Sequence, residues 1–190
     1  MVMDPGGAGP TLRTERLVLR RWRESDRAPF AALNADPEVM RYYLRPLSAA
    51  ESDARIDRIE AGFEAEGYGL WALERVWDGA FLGFSGLAAH TFEAPFTPCV
   101  EVGWRLARDA WGHGYATEAA RAALAFGFDR AGLREIVSFT TPLNLASIRV
   151  MERLGMRRDA ADDFEYPNIP PGHPLRRHVL YRLRSEEFRP

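Results

Sequence analysis

The sequence predicts an α/β fold in which helices cover the faces of one mixed sheet. Three observations carry this. The 190 residues, 46% hydrophobic and 27% charged, suffice for one soluble domain with a real core. A hairpin pair of strands comes in the first half, and strands alternating with helices follow in the second. That order suits a sheet that is part antiparallel and part parallel. Neither a repeat nor a linker interrupts the series, so 14–188 reads as one domain. Residues 1–13, rich in Gly and Pro, read as a disordered tail.

The elements follow in order. Residues 15–22 read as a strand, with Leu17 and Leu19 alternating against Arg21 and Val18 between. Glu24-Ser25-Asp26 opens a helix over 25–35 whose apolar face holds Phe30 and Leu33. Pro37 and Pro46 break the next stretch, with Tyr42 and Tyr43 between them. A capping box from Ser48 to Glu51 starts a helix over about 49–66, with Ile56, Ile59 and Phe63 on one face and Gly67 and Gly69 at its end. Residues 69–76 and 80–88 are strands joined by Asp78-Gly79, a two-residue hairpin signal. Residues 100–106 form a strand, and 115–131 a helix whose small residues (Ala116, Ala119, Ala120, Ala123, Gly127) allow close packing on a sheet. A buried-type strand at 136–140, a helix at about 144–154 and two strands at 156–166 and 177–184 complete the chain.

Composition excludes several functions. A net charge of −2 argues against nucleic-acid and polybasic membrane partners. No apolar run is long enough for a membrane span. The first residues lack a basic region followed by an apolar core, so a cytoplasmic location is expected. A single cysteine, Cys99, excludes an intramolecular disulfide. The histidines His90, His113, His173 and His178 show no ligand spacing, so no metal is expected. All 25 basic residues are arginine.

The stretch that points to chemistry is Trp111-Gly112-His113-Gly114-Tyr115-Ala116-Thr117. Two glycines precede a helix whose first turn offers unpaired N–H groups and the positive end of its dipole, which suits phosphate. A lysine-dependent P-loop is excluded, because the chain has no lysine. A dinucleotide fingerprint needs a third glycine where Thr117 stands, and Glu135 precedes its strand rather than ending it. Taken alone, the glycine pair is equally a plain turn.

Three segments in order, EVGWRL at 101–106, WGHGYATEA at 111–119 and NLASIRVMERLGM at 144–156, resemble the GNAT family of acetyl-CoA-dependent N-acetyltransferases. The opening TERLVLR at 14–20 and DPEVM at 36–40 are similar to its Rim-type subgroup of ribosomal-protein N-terminal acetyltransferases. The resemblance implies a mostly antiparallel sheet of six to seven strands, splayed at the centre, with about four helices. It implies coenzyme A in the splay: pantetheine along Val102, Gly103, Trp104 and Leu106, phosphates at Trp111, Gly112, His113, Gly114, Tyr115, Ala116 and Thr117, and Asn144 and Ser147 near the thiol. Asn144 is equally a plain N-cap. One departure is Asp109, where the family places Gln or Arg, so no cation at that position serves the pyrophosphate.

Acetyl transfer needs a neutral amine, a stabilised oxyanion and a proton for the departing sulfur. Glu101 is the expected base, the competing reading being a strand-face carboxylate in an ion pair. Backbone N–H groups near Gly103–Arg105 are the expected oxyanion donors. The family's acid tyrosine corresponds to Met151, so Ser147 stands in by resemblance, with Tyr115, Tyr166 and Tyr181 open. Cys99 shares strand parity with Glu101, which raises a covalent route, though no activating base is evident beside it. The acceptor is a small-molecule amine or a protein N-terminus, in a pocket made by helices 25–35 and 49–66 and the loop 164–175. Asp36, Glu38, Asp162, Asp163 and Glu165 there would favour a cationic acceptor, or be solvated surface. The segment 167–178 would cover the acceptor or build a homodimer interface. The alternative function is an acyl-CoA-binding sensor or interaction module of the same fold that transfers nothing.

Overall fold

The computed structural model describes residues 10–189. A strand followed by two helices is found as expected, β2 (Leu17–Arg20), α1 (Arg27–Ala35) and α2 (Ala49–Glu66), and a short strand that was not expected, β1 (Leu12–Arg13), precedes them. The predicted tail falls mostly outside the described residues. Within it, β1 pairs antiparallel with β2, and the Pro10 carbonyl accepts a hydrogen bond from the Trp71 indole at 2.8 Å. All of β2 is buried, including Arg20, whose guanidinium is bound by Asp26 and Glu74 at 2.7 Å. A 3₁₀ turn at Glu24–Asp26 precedes α1. The capping box of α2 is present, with Ser48 and Glu51 bonding each other's backbone, and Gly67 ends the helix at φ 74°.

Strands β3 (Leu70–Arg75) and β4 (Phe81–His90) form the hairpin. Its loop is longer than the two residues that Asp78-Gly79 suggested. Arg75 N–H donates to the Ala80 carbonyl at 2.9 Å, and Gly79 turns the chain at φ 71°. Then come β5 (Cys99–Leu106), α3 (Tyr115–Asp129), β6 (Glu135–Thr140) and α4 (Leu145–Arg153). The strand expected at 156–166 divides into β7 (Arg157–Arg158) and β8 (Phe164–Glu165). Between them the Asp159 carboxylate caps a 3₁₀ turn at Ala160–Asp162, accepting from Ala161 N–H at 2.9 Å. The last strand is β9 (Arg177–Arg184).

The strands lie in the order β1-β2-β3-β4-β5-β6-β9-β7, with β8 attached to β9. This makes more strands than the six to seven expected, because two-residue pairings lie beyond the reach of periodicity. Only β5 and β6 run parallel. The small face of α3 fits closely on the sheet: a Cβ at Gly127 would lie 2.7 Å from Ile136 and 2.9 Å from Leu87. Ala119, Ala120, Ala123 and Leu124 are fully buried there, beside Trp71 and Val102. Among the described residues no helix is long and apolar enough to cross a membrane.

Candidate active site

The parallel pair is where the sheet opens. β5 pairs with β4 along all of its length, from His90↔Cys99 to Gly83↔Leu106. Its other edge meets β6 only at Glu101↔Val137. Beyond that point the two strands part, and residues 102–106 have no strand opposite on that side. Unpaired strand groups seek a partner, and an extended amide-bearing chain supplies one. The wedge thus fits a pantetheine arm. It opens at the carboxyl ends of two parallel strands, a usual ligand position in such sheets. A cavity of about 840 Å³ occupies it, lined by Glu101, Gly103, Trp104 and Leu106 on one side and Ser138, Thr140, Asn144 and Ser147 on the other.

The glycine loop closes one end of this cavity. Gly112 and Gly114 adopt φ of 80° and 81°, which L side chains rarely hold. A Cβ at Gly112 would meet nothing within 4 Å, so the glycine is required by its dihedral and not by crowding. Gly114 is the N-cap of α3 and provides no side-chain cap, and Tyr115, Ala116 and Thr117 of the first turn, whose amides lack intrahelical partners, line the cavity. Trp111 is fixed by its indole donating to the Leu106 carbonyl at 2.9 Å. The Val102 side chain lies in the core, so only its backbone can serve a ligand, and the exposed His113 ring packs toward Tyr115 at 5.6 Å instead of lining the cavity.

Residues that the sequence reading passed over hold this loop. Arg16 donates to the His113 carbonyl at 3.0 Å, pairs with Glu118 at 2.6 Å and lies 4.9 Å from the centre of the Tyr115 ring. Thr14 donates to Glu118 at 2.6 Å. The TER of the opening segment and the second glutamate-bearing segment are therefore one clasp, over a hundred residues apart in sequence. Arg149 and Arg153 of α4 also line the cavity, so it carries cations although Asp109 is not one.

Glu101 stands at the vertex of the wedge. Its Oε2 lies 2.7 Å from His90 Nε2, so the ion-pair reading and the base reading converge on one carboxylate held by an imidazole. His90 sits diagonally across the β4–β5 ladder, a neighbour that only the register reveals. An aromatic cluster of Phe92, Phe139, Phe164, Tyr166 and His178 packs beside it. Burial lowers the His178 pKa, keeping the ring neutral near pH 7, and its Nδ1 contacts the Arg176 carbonyl at 3.2 Å. Burial raises the Tyr166 phenol above its ordinary value. Burial pushes the Cys99 thiol up to about 11, with the Glu101 carboxylate adding to it, so no thiolate forms near neutral pH. Asn144 caps α4, accepting from Ser147 N–H at 3.3 Å, and donates to Thr140 at 3.2 Å. Met151 is buried in the core. Of the open tyrosines, Tyr115 and Tyr166 line the cavity and Tyr181 does not.

The acceptor end differs from expectation. Its walls are the loop 38–47, Arg55 of α2 and the segment 166–169, while α1 itself stays behind them. The acidic residues are already engaged: Asp162 with Arg182 at 2.8 Å, Asp163 with Arg158 at 2.5 Å, and Glu165 with Arg176 at 2.7 Å. Asp36 accepts from Glu38 N–H at 2.8 Å, and of the five only Glu38 lines the cavity. The charges facing that space from β5 and α2 are instead Arg105 and Arg55.

The acetyltransferase (GNAT) domain model matches residues 16–157. The chain belongs to the GNAT acetyltransferase family. It is 32% identical over 188 residues to the FsC-acetyl coenzyme A-N(2)-transacetylase of Aspergillus fumigatus, covering 95% of this chain and 79% of that protein. A GNAT-family acetyltransferase from Bacillus anthracis superposes with a TM-score of 0.78 at 24% identity, covering 94% of this chain and all of that one. The ribosomal L7/L12 α-N-protein acetyltransferase RimL, solved with coenzyme A, superposes at 0.73 and 16% identity, covering 92% and 98%. These two structural likenesses are likenesses of fold. This GNAT chain is an acetyltransferase of a family that uses acetyl-CoA.

Proposed function

We propose that this protein moves the acetyl group of acetyl-CoA directly to a primary amine, and that Glu101 removes the amine's proton. The observation that carries the reading is the position of Glu101. It is the one residue of β5 in register with β6, and it lines the cavity that the glycine loop closes at its other end. An amine with a pKa of about 8 to 10.4 is mostly protonated at pH 7, so a base within reach is required before attack. Glu101 takes that proton directly or through a water, with His90 holding the carboxylate in place.

Acetyl-CoA supplies the activated acetyl group. Gly112 and Gly114, the amides of 115–117, Arg149 and Arg153 bind its phosphates, and the free edge of 102–106 orients its arm. Backbone N–H groups near Gly103–Arg105 hold the negative charge that grows on the carbonyl oxygen. Ser147, in the first turn of α4, is the proton donor for the departing sulfur. Tyr166 is a second donor in the same cavity, protonated at neutral pH. The raised Cys99 thiol supports direct transfer over an acetyl-cysteine route.

The relatives' names mention an N(2) position and a protein α-amine, so both acceptor classes occur around this fold. Thiol release measured over a panel of amines and peptide N-termini tests the proposal. Glu101→Gln is expected to lower kcat by about a hundredfold or more, the usual weight of general base catalysis. Calorimetry should show acetyl-CoA affinity within about threefold of the parent, since no binding atom is removed. Unchanged turnover would remove Glu101 from the role. Cofactor binding with no turnover on any acceptor would leave an acyl-CoA-binding module.

A further inference from the structure

Arg105 lies on the same face of β5 as Glu101, four residues further on, about 13 Å along the strand. It is 5% exposed. Its Nη1 donates to the Asn34 side chain at 2.5 Å, and Asn34 is held in turn by Ser52 at 3.0 Å. Its Nε is buried with no partner. Arg55 approaches from α2. Its Nε is also shut from solvent without a partner, and among the described residues it makes no hydrogen bond or ion pair. Both guanidiniums lean on Phe84, 5.6 Å and 5.5 Å from the ring centre, and Arg105 covers Tyr43 at 4.1 Å. Both line the reaction cavity.

Two desolvated cations side by side, without an acid between them, are costly to hold. Burial and the charge of Arg105 together lower the Arg55 pKa to about 10. The chain does not lack acids, with 27 of them against 25 arginines, and it pairs other buried arginines closely, as Arg20 with Asp26. The cofactor's phosphates belong at the glycine loop and Arg149, so they do not account for this pair. A planar fork of N–H donors matches a carboxylate.

We propose that the acceptor is a small amino carboxylate, with its amine at Glu101 and its carboxylate held by Arg55 and Arg105. This rests on the N-acetyltransfer reading and adds the acceptor's second recognition group. Arg55 is the specificity residue that the experiment addresses, because among the described residues it makes no hydrogen bond or ion pair, whereas Arg105 does. Arg105, tied to Asn34, also supports the packing of α1 and α2.

The test measures kcat/KM for straight-chain ω-amino carboxylates of rising length, each against its own carboxamide, with an aminoalkylphosphonate and a set of peptide N-termini alongside. Carboxylates are expected to exceed their carboxamides by about tenfold or more, the worth of a charge-assisted hydrogen bond pair. Arg55→Gln should bring that ratio to within about threefold of one, and Arg55→Lys should keep part of it, as a cation without the fork. Carboxamides used as well as carboxylates, a preference that survives Arg55→Gln, or phosphonates or peptides faster than every small amino carboxylate would overturn the proposal. If no acceptor reacts, the transfer reading fails on its own. Calorimetric titration with the same pairs then decides the site: carboxylate-selective binding that Arg55→Gln abolishes keeps it, and binding blind to the carboxylate removes it.

Discussion

The two edges of β5 have the same residues and opposite fates. Toward β4 every position is paired, eight registers in a row. Toward β6 the pairing stops at Glu101. The closed edge joins the strand to the core, where Val102 and Leu87 face each other fully buried. The open edge leaves backbone donors and acceptors facing a cavity. A sheet normally satisfies such groups internally. In the function proposed above the second edge serves a ligand, and rigidity on one side allows precise placement on the other. The side-chain faces divide likewise. Val102 points into the core under α3, while Glu101, Gly103 and Arg105 face the cavity.

Substitutions on the two edges should therefore separate stability from binding. Leu87→Ala, on the closed side, is expected to cost about 2–5 kcal/mol of stability, read from the urea midpoint. Acetyl-CoA affinity per folded molecule should change little. If that affinity falls as far as the stability, the edges are coupled and the division is wrong. Gly114→Ala, at the mouth of the open side, places an L residue at φ 81°, a strain of about 1–2 kcal/mol. Its expected effect is a loss of about tenfold in acetyl-CoA affinity by calorimetry, with a smaller stability change than Leu87→Ala.

The smallest effect concerns pH. Burial holds the His178 pKa below its unfolded value of 6.5. Below that pH the unfolded chain takes up a proton that the folded chain resists, so stability is lost as pH falls. The urea midpoint should decline from pH 7 to pH 5, and less so in His178→Asn. An equal decline in both would place the acid sensitivity in the carboxylates instead.

Much of the frame was legible in the sequence. The capping box placed α2 at Ala49–Glu66, and alternation, the Asp78-Gly79 turn and apolar runs together placed the six longer strands. The failures were local in cause. The burial of Arg20 lay outside what alternation can read, because alternation does not see Asp26 and Glu74 converging on it. Asp162, Asp163 and Glu165 looked like a cationic-acceptor wall until their arginine partners came into view.

By itself, the sequence determined the glycine loop, the strand bearing Glu101 and the helix opened by Asn144, because dihedral needs and capping are set by a few neighbouring residues. Only the tertiary structure decided that β6 leaves β5 at Glu101, that His90 backs that carboxylate, that Arg16 clasps the loop, and that Arg55 and Arg105 meet over Phe84. Each of these depends on register and packing between segments distant in the chain, and a one-residue slip between the strands would turn His90, Glu101 and Arg105 to the other face.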